Sequence, residues 1–449
     1  MSEICSRPSS QSIRLLWLCG LYSWLASQIG LLSPEIDRQA AKKDTKTPSF
    51  HPVTAHMVIE SSSSKSASSD WSRFRTAMPV TGEWAYFDHA AVGPLPQVAH
   101  EKILAWARQA AYEGDVNWLS WQDQAEDLRS LTAKILNASE SEIGLIPNTT
   151  FGINIVAQGY PWQPGDNVVL PDNEFPSNAY PWLALESQGV EIRRVATDSD
   201  HVCPDKIAAA CDSKTRIVSC SWVGFASGQR IDPAKIAQVA HDHGALFFMD
   251  AIQGMGVFPI DVKKSGIDFL AADGHKWMLG PEGAGVFYID QKHIDLIRPV
   301  MVGWKSVNNI WEFDKIELDL KPSACRFEGG SNNMAGLIGL GASLNLLHEF
   351  GLTADESPIA NQILLLAEEL ATKLESAGAV IHSSRDDKIR TGIVIFELPG
   401  HDPVEIRAKL LDNKIVTSAR GGGVRAAAHC YNNSDDIDRL VDVVSKLKI

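Results

Sequence analysis

None of the seven cysteines in this 449-residue chain, at positions 5, 19, 203, 211, 220, 325 and 430, forms a C-x-x-C pair. An odd number without that spacing argues against both a disulfide framework and a cysteine zinc site. Positive charge is also short: 41 Lys and Arg face 55 Asp and Glu, for a net charge of −14. Nucleic acid is thereby excluded as a partner, since neutralising phosphates needs concentrated Lys and Arg. No internal repeat is present. The glycine fingerprint of a dinucleotide fold is missing from its required place, because "GPEGAG" at 280–285 precedes a strand pattern instead of following one. That leaves a nicotinamide-dependent oxidoreductase without its motif. "HDH" at His241 to His243 closes a helical pattern just before a glycine and reads as a solvated helix end, not a metal site.

Long hydrophobic runs are scarce as well. The one at 15–32, "LLWLCGLYSWLASQIGLL", follows Arg7 and Arg14, is barely long enough for a bilayer, and is interrupted by two serines and a glutamine. It reads as a signal-like or anchor segment. "AAKKDTKTPS" and "SSSSKSASSD" after it cannot bury apolar surface and are expected to be disordered. Met57 could open a shorter chain. Residues 1–75 are therefore expected to be an extension, 76–350 a large domain with its N-terminal segment, and 351–449 a smaller C-terminal α/β domain. The catalytic part requires no membrane and is expected in the cytoplasm, with 15–32 leaving export or anchoring open.

What is present is an ordinary globular composition, 45% apolar and 21% charged. Helical spacing runs over 97–136, at Ile103, Leu104, Trp118, Leu128, Leu131 and Ile135. Short β-rich runs then alternate with helical ones: "DNVVLPD", "VEIRRVA", "TRIVSCSWV", "ALFFMDA", "DFLAAD", "GVFYID". This pattern predicts an α/β fold with a mostly parallel sheet between helices, and such sheets bind ligands beyond the carboxyl ends of their strands. A linking helix is expected near 334–350.

Three features carry chemistry. Lys276, in "AADGHKWMLGPEGAG", lies between two buried strands, where lost solvation lowers an amine's pKa and suits it to Schiff-base formation. Asp250 ends the apolar strand "ALFFMD", with Gln253 three residues on; a carboxylate there needs a cation, such as a protonated pyridine nitrogen, unless it caps the next helix. "PNTTFGIN" puts the hydroxyls of Thr149 and Thr150 at a helix start suited to phosphate.

Together these residues resemble the class V aminotransferase family, the fold-type I pyridoxal-phosphate enzymes that include cysteine desulfurases, selenocysteine lyases and isopenicillin N epimerase, over residues 84–449. The resemblance implies that Lys276 holds pyridoxal 5'-phosphate covalently, Asp250 pairs with its ring nitrogen, Gln253 bonds its hydroxyl, and Thr150 with Thr149 and His275 holds its phosphate, with Asp273 close by. It implies an amino-acid substrate held by Arg425 and His89, and a homodimer in which Ser331, in "RFEGGSNN", reaches the partner's phosphate. Phe175 stands in the place of the histidine that stacks on the cofactor in desulfurases; a phenyl ring stacks but moves no proton. Trp222 stands where desulfurases tend to have Asn. "VTSARGGGVR" has no cysteine where desulfurases carry their nucleophile, and strand alternation from Arg425 places Cys430 on the opposite face. These departures favour epimerase-like or aminotransferase-like chemistry; desulfurase or selenocysteine-lyase elimination is the alternative, and a non-catalytic cofactor-binding protein the remote one.

Overall fold

The computed structural model describes residues 70–197 and 201–447, and the apolar run 15–32 and the serine-rich stretch lie outside them. In chain order the elements are α1 Trp71–Thr76, β1 Ala85–Tyr86, α2 Gln97–Glu113, α3 Trp118–Leu136, β2 Ile143–Ile146, α4 Thr149–Gly159, β3 Asn167–Pro171, α5 Tyr180–Leu183, β4 Glu191–Val195 and α6 Pro204–Ala210. There follow β5 Thr215–Ser221, α7 Pro233–Asp242, β6 Leu246–Asp250, β7 Phe269–Asp273, β8 Gly285–Ile289 and α8 Met334–Glu349. The chain closes with α9 Pro358–Ser376, β9 Val380–Ile381, β10 Ile393–Glu397, α10 Pro403–Asp412, β11 Ile415–Val416, β12 Ser418–Arg420, β13 Gly423–Ala427 and α11 Ser434–Lys446.

The central sheet has the order β2-β8-β7-β6-β5-β3-β4. Pairing is parallel from β4 through β7 and antiparallel only around β8. Strand alternation divides its side chains between two cores. Phe247, Met249, Leu270 and Ala272 pack on one face with α3, α7 and α8, while Phe248, Phe269 and Ala271 pack on the other with α4 and α5. A sheet buried on both faces explains why β6 and β7 read as nearly unbroken apolar runs.

The second sheet, antiparallel in the order β12-β13-β10-β9, lies under α9, α10 and α11. Its core takes in Ala85 and Phe87, and β1 pairs with β11. The segment 85–87 thus belongs with the C-terminal layer, not with the large domain that a 76–350 boundary assigns. The folded part also starts before residue 76, since Phe74 of α1 is fully buried against Phe350 and Tyr431. At the other extreme Leu104 of α2 is exposed. His241 is not simply solvated, because its Nε2 bonds Asp268 at 2.7 Å. Among the described residues no cluster of His, Cys, Asp or Glu is suited to a metal ion.

Candidate active site

The carboxyl ends of the parallel strands meet the start of α4 around a cavity of about 300 Å³. Asp250 ends β6, Asp273 ends β7, and Lys276 follows on the turn toward β8. That turn is clamped by close backbone approach: a Cβ on Gly93 would collide with the Lys276 carbonyl oxygen. Gly256, at φ +92°, leaves no room for a side chain beside the Trp277 carbonyl. Trp277 Nε1 donates to Gln253 Oε1 at 2.7 Å, and Gln253 Nε2 donates to the Ala90 carbonyl at 2.9 Å. The lysine therefore rests on a rigid base while its amine faces the cavity.

Burial pulls the Lys276 amine down to about 8 against the opposing attraction of Asp250, so about a tenth of it is neutral at pH 7, far more than for an ordinary lysine. Its Nζ lies 5.6 Å from the Phe175 ring centroid, and Phe175 meets Phe225 edge-on at 5.1 Å. Burial pushes the Asp250 carboxyl up to about 6, and among the described residues only the Ile252 amide, at 3.0 Å, donates to it in opposition. That bond resembles a cap, but it leaves the carboxylate short of partners and aimed at the cavity. Asp273 Oδ1 is buried and unpartnered, while Oδ2 lies 3.0 Å from His275 Nδ1 without hydrogen-bond geometry. Thr149 Oγ1 accepts from the Asp273 amide at 2.9 Å, tying α4 to β7, and Thr150 lines the cavity beside it. Asn148 caps α4 by accepting from Phe151 N.

Arg425, on β13, is buried and already held: Nε donates to Ser418 Oγ at 3.1 Å, one terminal nitrogen donates to the Phe225 carbonyl at 2.9 Å, and the other approaches Asp88 Oδ1 at 3.4 Å. The long Asp88 contact is the one a substrate carboxylate could displace.

Lys276, Asp250, Gln253, Thr149, Thr150, Phe175, Asp273, His275 and Arg425 all line this one cavity. His89 does not: its ring is fully buried behind the wall, with Nδ1 on the Ala427 carbonyl and Nε2 on Tyr431 Oη, both at 2.7 Å. Both nitrogens are occupied, so the expected substrate contact is corrected to a structural one. Ser331 is exposed on a different cavity, beside Met301 and Val302. Trp222 packs against Gly254 and Phe258, outside the cavity. Cys430 is fully buried beyond the end of β13, so strand alternation does not govern its direction; the core encloses it instead. Arg420 and Phe225 line the cavity and were not foreseen. The signal for Arg420 was local: "SARGGGVR" is a hairpin, and Arg420 lies two residues from the Ser418 that faces Arg425. A larger cavity of about 460 Å³, between α2, α3 and α8, is lined by Lys102, Gln124, Asp127, Asn345 and Glu349, none of them buried.

A lysine with a depressed pKa, a buried carboxylate short of partners, an orphaned carboxylate oxygen and a helix start in one cavity fit pyridoxal phosphate on an α/β scaffold. The family profile described as Aminotransferase class-V matches residues 85–440, and the chain belongs to that family. The probable cysteine desulfurase of Methanothermobacter thermautotrophicus is 31% identical over 398 residues, covering 83% of this chain and 97% of that protein. Among solved structures, a C-DES mutant with glycine covalently linked to the PLP cofactor aligns with a TM-score of 0.77 at 25% identity, over 83% of this chain and 98% of that one. A complex of the cystine C–S lyase C-DES with its reaction product cysteine persulfide aligns with a TM-score of 0.75 at 25% identity, over 82% and 99%. The protein is thus a pyridoxal-phosphate-dependent enzyme acting on an amino acid. No helix among the described residues is long and apolar enough to cross a membrane.

Proposed function

We propose that this enzyme breaks the Cβ–S bond of a cysteine-derived amino acid by elimination and releases the sulfur on a small molecule instead of a protein thiol. The observation that carries this reading is that no cysteine among the described residues lines the Lys276 cavity, while relatives of the chain are named cysteine desulfurases and one structural neighbour a cystine C–S lyase. These relatives move the balance from the epimerase-like and aminotransferase-like branch to elimination. Phe175 agrees with that, since a phenyl ring gives its wall no group to deliver a proton for a two-sided inversion.

Bound pyridoxal phosphate supplies the electron sink that weakens bonds at Cα. Lys276 anchors it and afterwards moves the Cα proton through its neutral amine. Asp250, once paired with the ring nitrogen, keeps a proton on that atom. Gln253 Nε2 has a second hydrogen to offer the ring hydroxyl. Thr149, Thr150, His275 and the first turn of α4 receive the phosphate, and Arg425 grips the α-carboxylate with a geometry a lysine would not reproduce. With L-cystine, loss of the Cα proton and the Cβ–S bond releases cysteine persulfide, and the dehydro-amino acid takes up water to give pyruvate and ammonia.

We also infer a homodimer. Met301, Trp311, Phe313, Ile316 and Leu318 expose large apolar side chains, and Met301 borders the Ser331 cavity. In that assembly Ser331 would touch the partner's phosphate site.

The test is L-cystine given to the holoenzyme, with pyruvate and low-molecular-weight persulfide measured and the protein mapped by mass spectrometry. Pyruvate is expected without persulfide on any cysteine, with Cys430→Ser and Cys325→Ser active within about twofold, as for substitutions away from a site. A keto acid or a D-amino acid without pyruvate overturns the elimination. A persulfide on Cys430 with activity lost in Cys430→Ser restores the protein-thiol route. Sedimentation of the same sample is expected at twice the chain mass; a fully active monomer refutes the dimer.

A further inference from the structure

We propose that Trp277 is a positioning residue: its indole fixes the side-chain amide of Gln253 so that only N–H faces the cofactor's ring hydroxyl and keeps that oxygen ionised. This rests on the placement of Gln253 at the ring hydroxyl given above. Gln253 Oε1 accepts from Trp277 Nε1 at 2.7 Å, and Gln253 Nε2 donates to the Ala90 carbonyl at 2.9 Å. An indole N–H only donates and a peptide carbonyl only accepts. The amide therefore has one orientation between them, since turning it over sets donor against donor and acceptor against acceptor.

The two edges of the amide face different surroundings. Ala90 lines the Lys276 cavity together with Gln253, whereas Trp277 is buried and does not line it. The oxygen edge is thus committed to the core, and the nitrogen edge, with its second hydrogen, lies at the cavity. A donor at the ring hydroxyl favours the ionised oxygen. Without the indole the amide is free to present its own oxygen instead, which favours the protonated hydroxyl.

The indole is itself immobilised. Its ring stacks on His429 with centroids 6.1 Å apart and an interplanar angle of 28°, and the His89 ring lies 5.9 Å away. A Cβ on Gly392 would stand 2.9 Å from Trp277 Cη2, and one on Gly256 would stand 2.8 Å from the Trp277 carbonyl carbon. Packing therefore sets the direction of the N–H, and the chain neighbour of Lys276 acts on the cofactor from behind the cavity wall.

The experiment strips the cofactor from the holoenzyme and resupplies either pyridoxal 5'-phosphate or 3-deoxypyridoxal 5'-phosphate, which lacks only the ring hydroxyl. Equilibrium dialysis gives both dissociation constants for wild type, Trp277→Phe, Gln253→Ala and the double variant. Absorbance of the pyridoxal-phosphate forms gives the ratio of the ionised to the neutral hydroxyl band. Trp277→Phe is expected to weaken pyridoxal phosphate by about tenfold, as loss of a hydrogen bond to a charged oxygen warrants, and the deoxy cofactor by less than about twofold. Its band ratio should fall toward the neutral hydroxyl. In the Gln253→Ala background Trp277→Phe should change neither the preference between cofactors nor the band ratio. Equal weakening of both cofactors, or an unchanged preference in Trp277→Phe, makes Trp277 a core residue only and overturns the inference. Should Trp277→Phe fail to fold, benzothienylalanine at position 277, which keeps both rings and replaces the N–H by sulfur, is judged by the same ratios. If Gln253→Ala keeps the wild-type preference, Gln253 is not at the ring hydroxyl, and that placement falls together with the inference.

Discussion

Strand β7 starts just after one buried carboxylate and ends in another, and the fold treats the two in opposite ways. At the start, Asp268 accepts from His241 Nε2 at 2.7 Å, His293 Nε2 at 2.8 Å and the Phe247 amide at 2.9 Å, with Lys292 Nζ at 3.3 Å. Burial opposes its ionisation, but these donors outweigh it and hold the carboxyl at about 2. At the far end Asp273 leaves Oδ1 without a partner, and on the adjacent strand Asp250 has one amide donor and rises to about 6. The lesson is one of satisfaction. Where charge only supports the fold its donors are supplied internally, and where a ligand is to arrive they are withheld.

Removing the group that the open end serves should have the largest effect. Lys276→Ala is expected to lower turnover by about three orders of magnitude or more, at the upper part of the range for a proton-moving group that is also the anchor. Borohydride reduction and peptide mapping of the wild type should place the cofactor on Lys276; an adduct on another lysine breaks the contrast at its centre.

Asp250→Asn comes next. A hydrogen bond to a charged group contributes about 1.5 to 3 kcal/mol, so activity should fall roughly ten- to a hundredfold with cofactor still bound. The cofactor-free protein should respond the other way. The carboxyl's folded value, about 6, lies above its ordinary 3.8. The folded state therefore holds the extra proton between those values, and this group makes stability fall as pH rises from about 4 to 6. Above pH 6 the substitution should stabilise the cofactor-free protein by up to about 3 kcal/mol, and near pH 3 it should do nothing. Denaturant melts at both pH values check this; unchanged turnover removes Asp250 from the mechanism.

The smallest effect on catalysis belongs to the closed end. Asp268→Asn should leave turnover nearly untouched while costing about 2 kcal/mol of stability at pH 7, the linkage value for a carboxyl held at about 2 against 3.8. Because this value is depressed, the stabilisation is complete above about pH 4 and is lost as pH falls toward 2. A fall in kcat comparable to that of Asp250→Asn would erase the distinction between the two ends.

Much of the open end was legible in the residue order. Asp250 and Lys276 stood out because a charge at the end of an apolar strand contradicts its surroundings, and that contradiction is visible within ten residues. Thr149 and Thr150 were legible as a helix start. His89, taken from the resemblance, misled, since nothing in the neighbouring YFDHAAVGPLP marks the distant Tyr431 and Ala427 that occupy its ring. Cys430 was read by an alternation that stops three residues earlier, where β13 ends at Ala427.

The sequence by itself determined the alternating α/β scaffold, the strand ends and the residues able to hold pyridoxal phosphate, because periodicity and strand-end charge are short-range properties written in neighbouring residues. Only the tertiary structure decided that residues 85–87 join the C-terminal core, that Ser331 faces another cavity, and that the His89 ring is taken up by Ala427 and Tyr431. Those outcomes depend on contacts between segments up to several hundred residues apart, such as β1 on β11, and no local pattern encodes which distant surface a side chain will meet.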